Sequence, residues 1–133
     1  MALRDMLQAH PRSSGVDLDV LVRCITECQD CAASCTSCAD ACLAEPDVQE
    51  LVRCIRLCLD CADISGATAR VVTRQTAAER TALRAIVEAC AASCRLCEEE
   101  CGRHASHHEH CRLCEATCRS CVEACDALLA ALG

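Results

Sequence analysis

The chain has 133 residues, enough for one domain built on one core. It holds 18 Cys and no Phe, Tyr or Trp, so the space that aromatic rings normally fill must be filled by something else. Its 13 basic residues, all Arg, face 20 acidic ones, and the net charge of -7 argues against a nucleic-acid partner.

No segment is apolar for long enough to span a bilayer. The first residues, MALRDMLQAHPRSSG, carry acidic Asp5, no apolar run of signal-peptide length and no twin arginine. The expectation is a cytosolic protein. There thiols stay reduced, and a Cys-rich pattern reads as metal binding before it reads as disulfides. Residues 1–16 read as an N-terminal extension, either a short helix around Leu3, Met6 and Leu7 that ends before Pro11 or a frayed end. His10 reads as a surface residue. Residues 17–133 read as the domain proper.

Asp17 suits the N-cap of a first predicted helix over 17–44, which carries Cys24, Cys28, Cys31, Cys35, Cys38 and Cys42. Glu45-Pro46-Asp47 breaks it, with Pro46 placed for the first turn of a second helix over 47–73 carrying Cys54, Cys58 and Cys61. Thr76-x-x-Glu79 has the form of a capping box for a third helix over 77–103, with Cys90, Cys94, Cys97 and Cys101. Ser106-x-x-Glu109 has the same form for a fourth over 107–131, with Cys111, Cys114, Cys118, Cys121 and Cys125. In every cluster the steps alternate between three and four residues, which sets all the thiols on one stripe of a helix. A strand would need a period of two. Short connections make neighbours antiparallel, so the predicted fold is all-α, an up-down-up-down four-helix bundle with a Cys-lined core.

Antiparallel pairing lets the core be stacked in levels. Cys42, Cys54, Cys101 and Cys111 form one; then come Cys38, Cys58, Cys97 and Cys114, and Cys35, Cys61, Cys94 and Cys118. Below them lie Cys31, Ser65, Cys90 and Cys121, then Cys28, Thr68, Val87 and Cys125, and last Cys24, Val72, Leu83 and Leu128. One end of the stack is an apolar plug of Leu21, Val72, Leu83 and Leu132. At the other, the stripe runs out into His104, His107 and His108, as at a mouth.

A single Cys is best read as a small buried hydrophobe. That reading fails for 18 on one stripe, because Cys packs no better than Ala or Leu. Thiolate-only sites select Cu(I), Zn(II) or iron–sulfur clusters. A row of Zn(II) ions with four thiolates each would bury about two negative charges per site, with no Arg on the stripe to offset them. Cu(I) accepts two or three thiolates and tolerates bridging, so one ion per sulfur leaves a neutral core with a capacity on the order of 18 ions. The alternative is zinc or broad soft-metal sequestration. An iron–sulfur carrier would leave most thiols idle. No nucleophile, base and orienting group assemble into an enzyme site.

These CxxxC and CxxC steps on all four helices, over residues 17–131, resemble the bacterial copper storage proteins, bundles filled with Cys-bound Cu(I). The resemblance implies that all 18 Cys are copper ligands and that the protein is a homotetramer. Exported members have a twin-arginine leader and Met residues near the copper entrance. This chain has Met1 and Met6 alone and no such leader, and is more similar to the cytosolic members. In those, His at the open end takes the role of Met, which points to His104 and His108; solvated loop histidines are the plainer reading. His107 is a secondary candidate, and His110, off the stripe, reads as surface. Glu98-Glu99-Glu100 reads as a solvated helix face. On the second helix, Val48, Val52, Ile55, Leu59 and Ala62 form a stripe outside the Cys row that reads as a subunit interface.

Overall fold

Residues 2–133 are described in a computed structural model; Met1, the first residue of the predicted extension, lies outside the described residues. Five α-helices account for most of them: α1 (Leu3–Ala9), α2 (Leu18–Leu43), α3 (Val52–Thr73), α4 (Arg80–His104) and α5 (Glu109–Leu132). A 3-10 turn over Val48–Leu51 leads into α3. The four long helices form an antiparallel square in which α2 packs on α3 and α5, and α4 packs on α3 and α5. The all-α four-helix bundle is therefore as the cysteine spacing predicts.

The start of α2 is set by Asp17, whose side chain accepts hydrogen bonds from the backbone N–H of Asp19 and Val20. This satisfies two of the donors that a helix start leaves open. The other predicted starts differ. The second helix, expected over 47–73 with Pro46 in its first turn, opens instead as the 3-10 turn Val48–Leu51 and becomes α-helical only at Val52, while the Asp47 carboxylate bonds His108. The Thr76–Glu79 capping box does not form. Ala77 sits at φ 53, in the left-handed region, and α4 begins only at Arg80. The Ser106–Glu109 box does not form either, and His108 occupies the N-cap of α5 without a side-chain cap bond. Gln75 supplies a bond that the sequence did not advertise. Buried at the end of α3, it donates from Nε2 to the carbonyls of Val72 (3.0 Å) and Thr73 (3.2 Å).

All 18 cysteines are free and buried. Leu21, Val72, Leu128 and Leu132 close one end of the bundle, with Leu83 half-buried beside them. Leu3 and Leu7 of α1, with Val16, pack against that core from outside. The second apolar stripe of α3 divides: Val52 and Leu59 are exposed, Ile55 packs half-buried on the core, and Ala62 is buried within the bundle.

Candidate metal centre

The three-and-four spacing turns one face of each helix inward, so the thiols meet on the bundle axis. Across helices, Cys31 Sγ lies 3.7 Å from Cys61 and from Cys94, and 3.9 Å from Cys118. Cys35 lies 3.7 Å from Cys114 and Cys118 and 3.8 Å from Cys97. Cys58 is 3.6 Å from Cys97 and 3.7 Å from Cys101, and Cys54 is 3.7 Å from Cys101. Cys28 is 3.8 Å from both Cys90 and Cys121. These contacts run unbroken from Cys54 to Cys31, and the Ser65 hydroxyl, 3.7 Å from Cys61 and 3.6 Å from Cys90, links that run to the Cys28–Cys90–Cys121 group. The register of the column corrects the flat levels drawn from sequence, because α2 is displaced along the axis. Cys31 meets the Cys61–Cys94–Cys118 level and Cys28 the Cys90–Cys121 level above the predicted one, while Cys35 keeps Cys61 and Cys118, and Cys28 keeps Cys125, of their predicted levels, so the offset is only part of a level. Helix period alone leaves this axial offset free.

Sets of four cysteines bring their sulfurs within 4.8 Å of one another, and the sets overlap. Cys35 and Cys118 belong both to Cys31–Cys35–Cys61–Cys118 and to Cys35–Cys97–Cys114–Cys118. Cys38 and Cys54 belong both to Cys38–Cys54–Cys58–Cys101 and to Cys38–Cys42–Cys54–Cys111. No Arg hydrogen-bonds to a sulfur among the described residues; Arg23 acts on Cys24 through its charge alone, as the smallest of the causes that shift it. Two effects oppose each other in the metal-free core. Burial, followed by the charge of Cys54, raises Cys42 to about 11, and the same order of causes raises Cys111. Where a neighbouring S–H donates, the acceptor is lowered: Cys24 to about 5 by Cys125 and Cys28, and Cys97 to about 7, chiefly by Cys101.

The mouth is covered. Cys42, Cys54, Cys101 and Cys111 are fully buried, and Leu51 of the 3-10 turn is buried with them. Three histidines share this lid. His104 is largely buried, its Nε2 3.0 Å from Glu100 Oε2. Glu100, predicted on a solvated face, is instead buried, because Arg103 (3.1 Å) and Arg53 of α3 (3.3 Å) reach its other oxygen. His108 is held on both sides, through Nε2 by Asp47 (3.0 Å) and through Nδ1 by Glu45. The Asp47 hydrogen bond, first among the causes, raises the His108 pKa and lowers that of Asp47. His107 is exposed.

His110, predicted at the surface, is part-buried and stacks on His108 with ring centroids 5.3 Å apart. Its Nδ1 lies 3.6 Å from Cys38 Sγ and 3.5 Å from Cys111 Sγ, while its Nε2 faces Glu45 at 3.2 Å. An Nε2–H donated to Glu45 leaves the Nδ1 lone pair pointing at the two sulfurs. The signal was its place in the first turn of α5, where helical side chains lean back toward the N-terminal end and so over the mouth.

Residues 18–130 match the family described as copper storage protein. The chain belongs to that family. It is 50% identical to Ccsp, the copper storage protein of Streptomyces lividans, in a structure loaded with 10 copper equivalents; the match covers 97% of this chain and 98% of that one, with a TM-score of 0.95. A second structure, of copper loading to a cytosolic copper storage protein from Streptomyces lividans with five coppers, is 53% identical over 86% of this chain and 96% of that one, with a TM-score of 0.85. A cysteine-rich protein of Bacillus subtilis, YhjQ, is 36% identical over 107 residues, 80% of this chain and 94% of that protein. The Cys column described above is thus the core of a copper storage protein.

Proposed function

We propose that this member of the family holds Cu(I) along the whole thiol column, with all 18 Cys as ligands and His110 as a nitrogen ligand where the column meets the mouth. The overlap of the four-sulfur sets carries this reading. Closed tetrahedral zinc sites would each need four thiolates of their own, and neighbouring sets here compete for the same sulfurs. Cu(I) turns that sharing into bridging and keeps the buried charge near neutral. His104 and His108 guard the entrance. In the closed arrangement both nitrogens of His108 face carboxylates, so a copper contact at His108 requires release from Glu45 or Asp47.

The reading includes storage in the cytosol, as in the Streptomyces lividans relative, and no catalysis. It also includes assembly as a homotetramer through exposed Val52 and Leu59 of α3. Anaerobic titration of the reduced apo-protein with Cu(I) against a chromophoric chelator tests the storage reading. Uptake close to one ion per Cys is expected. Saturation at four or five equivalents would instead support isolated four-thiolate sites. Light scattering tests assembly, with V52E/L59E expected to give a smaller species.

A further inference from the structure

The thiol stripe of α3 stops at Cys61, and the next inward position is Ser65. Its side chain is fully buried, and its hydroxyl faces three sulfurs: Cys90 at 3.6 Å, Cys61 at 3.7 Å and Cys94 at 3.8 Å. A buried hydroxyl in a helix ordinarily bonds the carbonyl four residues back. Thr68, one step further along, does so to Ile64 (2.7 Å), and Thr73 does so to Ala69 (2.7 Å). Ser65 has no such bond, and the hydrogen-bond partners of its hydroxyl are these three sulfurs, toward any of which it can donate once the sulfur is a thiolate.

Beyond Ser65 the sulfurs come from three helices. The set Cys28–Cys90–Cys121–Cys125 contains no residue of α3. A serine hydroxyl keeps its proton near neutral pH and is a hard donor, so it does not replace the missing thiolate on soft Cu(I). A thiolate that lacks a bridging partner on the α3 side has a lone pair and charge density left over, and burying that without a partner is costly. An O–H aimed at it satisfies the lone pair and holds the sulfur in place.

We propose that Ser65 is a positioning residue of the copper store, donating its hydroxyl hydrogen to the Cys90 or Cys94 thiolate where the four-sided thiol column becomes three-sided. The inference rests on the copper reading of the core. It divides the store into a mouth-side part, ligated from all four helices, and a closed-side part, ligated from α2, α4 and α5 with Ser65 as the hydrogen-bonding fourth wall.

The test compares full-length wild type, Ser65→Ala and Ser65→Cys as reduced proteins titrated anaerobically with Cu(I), then challenged with a competing chelator. Ser65→Ala is expected to reach the wild-type total and to lose one or two of its ions about tenfold more readily, the scale of a lost hydrogen bond to a charged group. Ser65→Cys is expected to take up about one ion more than wild type and to show no weakened subset. Thermal melting of the apo-proteins separates a packing role: a lower apo midpoint with unchanged copper retention overturns the proposal. So does a Ser65→Ala protein whose retention superimposes on wild type. If Ser65→Ala does not fold, Ser65→Cys decides, and no gain in capacity overturns the three-sided wall. A wild type that takes up no copper overturns the storage reading itself and this inference with it.

Discussion

His108 and His110 stand two residues apart and have different partners. His108 faces Glu45 and Asp47, and so pins the connection between α2 and α3 onto the start of α5. His110 turns one nitrogen to Glu45 and the other to Cys38 and Cys111. Replacing His110 with Ala is therefore expected to weaken or remove about one copper site at the mouth. Replacing His104 and His108 together is expected to change loading or removal rates with total capacity nearly intact. Stopped-flow loading and end-point titration separate the two outcomes, and a capacity loss confined to the His104/His108 variant would reverse the assignment. The His108–Asp47 pair also has a definite pH window. His108 is raised, so its contribution is full below its unfolded value near 6.5 and is lost as pH rises through the raised folded value. Asp47 is lowered, so its contribution holds above about 3.9 and is lost as pH falls through the lowered folded value. Imidazole NMR of the apo-protein should find His108 titrating above the ordinary histidine range; a value at or below it would mean the latch is absent in solution.

Among the elements, what was legible in the sequence was local and periodic. The three-and-four cysteine steps fix a helix face whatever lies across from it, and Asp17 caps α2 through bonds to residues two and three further on. What failed was set by partners remote in sequence. His110, expected at the surface, is turned inward by Glu45, sixty-five positions away, and Glu100 is drawn inward by Arg53 of α3. The axial offset of α2 likewise depends on packing between helices, which no spacing within α2 encodes. The left-handed Ala77 interrupts the Thr76–Glu79 capping box expected for the third helix, and it leads to a stability prediction. Ala at a positive φ carries steric strain that Gly does not. Ala77→Gly is expected to stabilise the apo-protein by about 1 kcal/mol, read as a higher thermal midpoint. A drop of similar size would show that this loop takes another conformation in solution. The same local logic predicts that reduced, metal-free protein is already helical, since caps and a buried core define the bundle without copper. Far-ultraviolet circular dichroism showing coil that folds only on loading would contradict this.

At the scale of the whole molecule, the column has two unlike ends. The plug is sealed twice. Leu21, Val72, Leu128 and Leu132 fill the bundle axis, and beyond them Gln75 accepts a bond from Ser14 N–H (3.3 Å) while Arg80 holds the Leu132 carbonyl (3.0 Å). Copper moving through that end would have to displace apolar side chains that offer it no ligand. The mouth is covered by ion pairs and imidazoles, groups that exchange partners with water and can hand on a soft cation. From there the sulfurs of Cys38 and Cys111 lead into the overlapping sulfur sets, whose members lie within 4.8 Å of one another and so offer an ion a next ligand before it leaves the last. We predict that loading runs inward from the mouth and that the plug serves stability alone. Leu21→Ala and Leu132→Ala should each cost roughly 2–4 kcal/mol of apo stability, as buried leucine truncations do, and leave the loading rate at its wild-type value. Glu45→Gln, which loosens both His108 and His110, should alter that rate with little loss of stability. Because each thiol must lose its proton to bind, a pH-indicating dye should report proton release in step with uptake. Loading accelerated by the leucine variants, with Glu45→Gln behaving as wild type, would mean that copper enters where the bundle looks closed.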